Sequence, residues 1–346
     1  MRMNSYLQRV SHPMQRMTNS IMLSNQYSSF CFALMLRHRF STVLTQPTIH
    51  SMNRGQLAIA RQWAVQEGWN PGKHEAKPFL AADPKGYWMA NLLGRPIACL
   101  AGVRYQKIDQ PYFAWLGSYI VRSEYRGQGY GKCLWDHTRE QLSDYKTIGL
   151  HAVLKQVETY QKDGFEVPHD QALNTRWVHQ TKPKRFYHQQ SDIEVLSLKD
   201  VFNEKPHLCM NHILEYDTRI FSTNRANFLK SWLNMPRTKV FFAFDGNDII
   251  GYGALSATEE GYKIAPLFAK NAEVAEALYL KLLKTVPENS AVFVDTTALN
   301  STAESVLRQI GFQEVFQTCS MYTTGSDIPS LKHDEIFAMT SLEISP

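Results

Sequence analysis

The chain has 346 residues, 44% hydrophobic, 12% aromatic and 20% charged, which excludes collagen-like, low-complexity and wholly disordered classes and predicts two domains with some chain to spare. Its +5 charge sits at one end: residues 1–66 hold seven arginines and no acid, and the rest has 30 Lys+Arg against 32 Asp+Glu. A near-neutral body gives no reason to expect a nucleic-acid partner. The longest apolar run, residues 30–36, falls far short of the roughly 20 residues that span a bilayer, so no integral membrane segment is expected.

Residues 1–45 are rich in Arg and Ser. Met3, Leu7, Val10, Met14, Met17 and Ile21 fall on one helical stripe, with Arg2, Arg9 and Arg16 well away from it. Despite Pro13, this is the pattern of a mitochondrial transit peptide, with Arg39 two residues before a cut after Phe40. Matrix localisation is the expectation; the alternative is a disordered tail on a cytoplasmic protein.

The body then reads as two halves. In the first, residues 46–182, a strand is expected at 48–52 and helices at 54–67 and 76–82. Strands at 86–93, 96–105 and 112–121 follow, the first two joined by a turn at Leu93-Gly94-Arg95-Pro96. Next come a Gly-rich turn, a helix at 130–142, a strand at 147–153, a helix ending at Gly164-Phe165 and a strand through Val178. Residues 183–192 read as a linker. The second half, 193–325, offers a strand at 193–198, helical stretches at 201–216 and 224–232, and strands at 240–244, 249–256 and 261–266. A helix at 272–284, a strand at 291–295, a helix at 302–310 and a strand through Tyr322 complete it. Residues 326–346 read as a tail. Gly164-Phe165 and Gly311-Phe312 close equivalent helices, which points to an internal duplication.

One segment carries chemistry: Tyr119-Ile120-Val121-Arg122-Ser123-Glu124-Tyr125-Arg126-Gly127-Gln128-Gly129-Tyr130-Gly131-Lys132. A strand enters a glycine-rich turn and then a helix. Successive N–H groups in such a turn, with the partial positive charge of the helix start, make an anion site, and glycine lets a ligand approach the backbone. Arg126 and Lys132 add charge. A Walker loop fails, because Arg126 and Cys133 stand where it needs Gly and Ser/Thr. The G-x-G-x-G spacing fits a dinucleotide fingerprint poorly. The five cysteines are scattered and no paired Cys/His spacing occurs, so no metal is expected.

Arg126, Gly129 and Gly131 follow the Gln/Arg-x-x-Gly-x-Gly/Ala pattern, and the segment resembles motif A of the GNAT acyltransferase superfamily. Tyr160-x-x-x-Gly164-Phe165 resembles its motif B. The second half resembles a diverged GNAT domain of the YitH type through Asp217, Arg225-x-x-Phe228-Leu229, Gly251-Tyr252-Gly253 and Asn300-x-x-Ala303. The resemblance implies an α/β (α+β mixed) protein of two fused GNAT-type domains, each a mostly antiparallel mixed sheet flanked by helices. It implies an acyl-CoA-dependent N-acyltransferase using acetyl-CoA, the alternative being an inactive acyl-CoA-binding protein.

The same resemblance has Tyr119, Ile120 and Val121 offering backbone groups to the pantetheine. Arg126, Gly127, Gln128, Gly129, Tyr130, Gly131 and Lys132 grip the diphosphate, and Tyr160 protonates the leaving thiolate. His151 stands on the strand beside the expected thioester as a candidate base, although related proteins carry Asp there. The second half lacks the glycine motif and has Leu307 in place of the tyrosine. The acceptor expected is a small-molecule amine or amino acid rather than a protein.

Overall fold

The computed structural model describes residues 46–107, 110–168, 173–182 and 192–344. The transit-peptide reading and nearly all of the expected linker fall outside them.

The first half runs β1 (Thr48–Ser51), α1 (Arg54–Gln66), α2 (Ala76–Ala82), β2 (Tyr87–Leu92), β3 (Arg95–Lys107), β4 (Gln110–Val121), α3 (Tyr130–Gln141), β5 (Ile148–Val153), α4 (Val157–Lys162), β6 (Phe165–Glu166) and β7 (Leu173–Gln180). The second runs β8 (Glu194–Ser197), α5 (Leu198–Glu204), α6 (Met210–Phe221), α7 (Ala226–Leu233), β9 (Lys239–Asp245), β10 (Asp248–Ala257), β11 (Tyr262–Ala269), α8 (Ala272–Leu283), β12 (Ala291–Thr297), α9 (Ser301–Ile310), β13 (Gln313–Thr323) and β14 (Ile336–Ala338). This is the mixed α/β class expected. The helical stretch expected at 201–216 is instead the two helices α5 and α6, because Pro206 offers no N–H and disfavours helical geometry at Lys205, which stands at φ −124° and ψ 67°.

All strands belong to one sheet, in the order β1-β2-β3-β4-β5-β13-β7-β12-β11-β10-β9-β8, with β6 on β13 and β14 on β11. The order reads the same from both ends once β8–β12 are matched to β1–β5. The last strands are exchanged. β13 lies antiparallel on β5, with Ser320 opposite His151, and β7 lies antiparallel on β12, with Trp177 opposite Val294. Each sequence half therefore completes its sheet with the other half's final strand, so a cut at the linker divides the chain but not the packing.

The expected tail is corrected as well. β14 pairs with β11, and Ile336, Phe337, Ala338, Met339 and Ile344 are all buried. With Leu331 the segment holds six core side chains, too few and too irregularly spaced to register as an element.

Each face of the sheet has its own core. One packs α3 over β4 and β5 through Leu116, Leu134, Trp135 and Leu150. On the opposite face Phe113, Trp115 and Tyr105 join Phe221, Phe228 and Trp232 of α6 and α7.

Candidate active site

β4 pairs in parallel with β5 only through Ala114, Trp115 and Leu116. Beyond Leu116 the strands part. On its other edge β4 keeps its bonds to β3 with a bulge, where Ser118 takes φ 50°. No other strand lies beside residues 117–121 on the β5 side. A wedge therefore opens, flanked by Tyr119–Val121 on one side and His151–Val153 on the other.

The turn at the wide end of the wedge has the form the glycines dictate. Gly127 and Gly129 sit at φ 73° and 85°, and residues 126–129 are exposed. Gly131 is needed for a different reason: a Cβ there would lie 2.6 Å from the Tyr119 hydroxyl oxygen and 2.9 Å from Val121 Cγ2. Among the described residues, no main-chain N–H from Gly127 through Lys132 has an acceptor. The first bond of α3 is from Cys133 N–H to the Gly129 carbonyl, at 3.1 Å, and no side chain caps the helix. Unbonded N–H groups at a helix start are anion donors in waiting.

The charged side chains of the turn pair with carboxylates at the surface. Arg126 Nε donates to the Val121 carbonyl at 2.7 Å, and its guanidinium pairs with Glu67 at the end of α1. Lys132 pairs with Asp136 one turn along α3. Arg126 thus ties the turn to β4 and α1, while its side chain and that of Lys132 stay exposed beside the turn. Gln128 donates back to the Glu124 carbonyl at 2.9 Å. Tyr130 is buried and anchors the helix start, and the Ile120 side chain is buried on the opposite face of the sheet.

Tyr160 stands on α4, half-buried against Trp135 at 5.5 Å between ring centroids and Phe165 at 6.3 Å. Trp135 lies 5.5 Å from Tyr119, so Tyr160, Trp135 and Tyr119 form one aromatic group between α3 and the wedge. Burial pushes the Tyr160 hydroxyl up to about 12, which leaves it protonated at neutral pH.

His151 is the first β5 residue past the last β4 pair. Its ring meets Trp115 edge-on at 4.7 Å. Asn174 Nδ2 approaches its Nδ1 at 3.0 Å and also donates to Ser320 Oγ at 2.8 Å. Ser320 Oγ lies 3.2 Å from the same Nδ1, so β7 and β13 together hold the ring of the candidate base. Asn174 and Ser320 were not legible as site residues, since they come from β7 and β13, 23 and 169 positions away.

A further group on the same face was also missed. Arg176 and Lys263 clasp Asp295, both at 2.7 Å. Burial raises Asp295, but the two cations outweigh it and hold its carboxyl well below the usual range. Glu75, at the start of α2, accepts from Gly72 N–H at 3.0 Å, and burial followed by the charge of Glu343 pushes it up to about 7 against the weaker pull of Lys263 and Arg61. Glu343 itself comes from the C-terminal segment, whose main chain packs so close to β4 that a Cβ on Gly117 would overlap the Glu343 carbonyl.

The same place in the second half is built differently. β11 and β12 pair only at Tyr262–Val292 and Lys263–Phe293 and then part, but there β14 fills the gap. β14 bonds along β11, and Met339 N–H donates to the Asp295 carbonyl of β12 at 2.8 Å. Two residues, Lys270 and Asn271, join β11 to α8, and Asn271 Oδ1 accepts from Val274 N–H at 3.0 Å, capping the helix. The subfamily residues explain how β14 is fixed. Arg225 holds buried Asp217 with two 2.8 Å bonds and reaches Thr340 at 3.0 Å, Tyr252 donates to Asp217, and Asn300 bonds the Ile336 carbonyl at 3.1 Å.

Set beside known proteins, residues 56–165 match the acetyltransferase (GNAT) family model and residues 213–338 match a second acetyltransferase (GNAT) domain model. Together they cover more than half of the chain, which belongs to the GNAT superfamily as a tandem protein and is an acyltransferase of that type. Holothin acyltransferase of Pseudoalteromonas sp. (strain SANK 73390) is 28% identical over 83% of this chain and 90% of its own. The uncharacterized N-acetyltransferase YitH of Bacillus subtilis (strain 168) is 22% identical over 72% of this chain and 82% of its own. Among solved structures, a tandem GNAT protein from the clavulanic acid biosynthesis pathway superposes with a TM-score of 0.58 at 14% identity, covering 82% of this chain and all of that one.

Proposed function

We propose that the first half binds acetyl-CoA and transfers its acetyl group to the amine of a small molecule, while the second half binds no acyl-CoA. The observation that carries this reading is the row of unbonded main-chain N–H groups from Gly127 to Lys132 at an uncapped helix start, directly beyond the open wedge. In GNAT enzymes acyl-CoA is the acyl donor. Here the turn receives the diphosphate, and the edge of Tyr119–Val121, whose Val121 carbonyl is already held by Arg126, receives the pantetheine amides.

The acceptor nitrogen attacks the thioester carbonyl carbon, the C–N bond forms, and the C–S bond breaks to release the thiol. Tyr160 hydrogen-bonds the departing sulfur. A phenol raised to about 12 transfers its proton uphill to a thiolate of about 8.5, so the hydroxyl stabilises the developing charge and yields its proton as it regains one from solvent. His151, held at Nδ1 by Asn174 and Ser320, stands beside the reacting groups as the candidate base. Removing one donor from a developing oxyanion costs on the order of 10²–10³ in rate. The inactive-protein alternative predicts acetyl-CoA binding without turnover. Thiol release from acetyl-CoA across a panel of amines is the test: amine-dependent release supports transfer, and binding with no release on any amine supports the alternative.

A further inference from the structure

A cavity of about 370 Å³ lies at the seam of the two halves. Its walls come from β7 and β13, the exchanged strands, and from the C-terminal segment. Asn174 and Ser320, the two side chains that hold His151 Nδ1, line it, and so does Tyr322, whose ring stands 5.8 Å from Trp115. The cavity therefore touches the residues around His151 at the point where β5 leaves β4. Its volume is that of a small-molecule pocket.

The chemistry of the wall is selective. Ile328, Leu331, Ile336, Met339 and Leu299 supply apolar surface, and the polar side chains are neutral hydroxyls, an amide and an imidazole. Among the described residues, no Asp, Glu, Lys or Arg lines it. Glu75 and Glu343 are near the wedge but outside this wall.

We propose, resting on the reading of the first half as the acyltransferase site, that this cavity holds the acceptor. We further propose that the acceptor is an amine uncharged at neutral pH, with its nitrogen on an aromatic or heteroaromatic ring. An ammonium group taken from water into a wall without a carboxylate loses its hydration with no compensating partner, and an amino acid's carboxylate finds no cation. A ring amine keeps its lone pair available at pH 7 and fits an apolar wall. The attack then needs no prior deprotonation: C–N forms, C–S breaks, the nitrogen releases one proton to solvent and the sulfur receives one.

The test uses full-length protein, acetyl-CoA, and aniline against benzylamine and phenylalanine. At pH 7 aniline should exceed benzylamine at least tenfold in kcat/KM. The aniline rate should be flat from pH 6 to 9, while the benzylamine rate climbs about tenfold per pH unit. Leu299→Asp adds a carboxylate to the wall at a partly exposed position and should narrow the aniline–benzylamine ratio at least tenfold. Benzylamine or phenylalanine as the preferred wild-type acceptor at pH 7 would overturn the proposal, as would a ratio that Leu299→Asp leaves unchanged. Calorimetry with acetyl-CoA separates the two levels. Loss of acetyl-CoA binding defeats the underlying reading, whereas binding with no acylation of aniline defeats only the acceptor class.

Discussion

The two halves share one scaffold and differ where a ligand would enter. In the first, eight residues connect β4 to α3, the helix start is uncapped, and the wedge beside β4 holds no strand. In the second, two residues connect β11 to α8, Asn271 caps the helix, and β14 occupies the wedge. A strand that parts from its neighbour leaves main-chain groups unpaired, and burying them without partners costs about 1–3 kcal/mol each. The second half solves this with its own chain. The first leaves the groups open, which makes sense where a substrate with amide groups supplies the partners. The duplication preserved packing on both sides and the means of binding on one.

Five changes press on that contrast, from the largest expected effect down. Tyr160→Phe removes the hydroxyl that Leu307 already lacks in the second half; kcat should fall by about 10²–10⁴ with acetyl-CoA affinity unchanged, measured by thiol release and calorimetry. Phe337→Ala empties a site buried by β14 and should cost about 3–5 kcal/mol in denaturant unfolding, whereas a surface tail would give less than about 0.5. Gly129→Asp sets a carboxylate beside the free N–H groups in open space; acetyl-CoA affinity should drop about 10–100-fold, with roughly 1 kcal/mol of stability lost to the left-handed backbone.

The fourth concerns the carboxylates, since two cations clasp Asp295 directly while burial and Glu343 dominate at Glu75. A carboxyl raised from 4.5 to about 7 in the native state favours the fold in its protonated form. That stability is present below about pH 4.5 and is lost as pH rises through about 7. Glu75→Gln should therefore flatten the decline between pH 4.5 and 7 and be more stable than wild type at pH 8, by on the order of 1–3 kcal/mol, read from unfolding midpoints. Last, Asn271→Ala should cost about 1 kcal/mol of stability and leave acetyl-CoA binding untouched, because that helix end serves its own cap.

What the chain disclosed in advance was local. The turn at Arg126–Lys132 is one continuous stretch whose glycines report their own backbone needs, and Gly127 and Gly129 take the left-handed conformation. The helix and strand periods of the first half were equally readable, because each rests on neighbours within a few residues. Partners distant in sequence were not. Arg126 pairs with Glu67, 59 positions away. His151 is held at Nδ1 by Asn174 and Ser320, from strands far along the chain. The strand exchange and the burial of β14 rest on pairings no local pattern encodes, and the subfamily marks at Asp217, Arg225 and Asn300 gave no hint that their task is to hold that strand.

The central claim is that one half binds and the other is filled. Calorimetric titration of the full-length protein with acetyl-CoA, on wild type and Gly129→Asp, addresses it directly. The account predicts one site per chain, weakened at least tenfold in the variant. Two sites per chain, or a single site that Gly129→Asp leaves at full affinity, would contradict it.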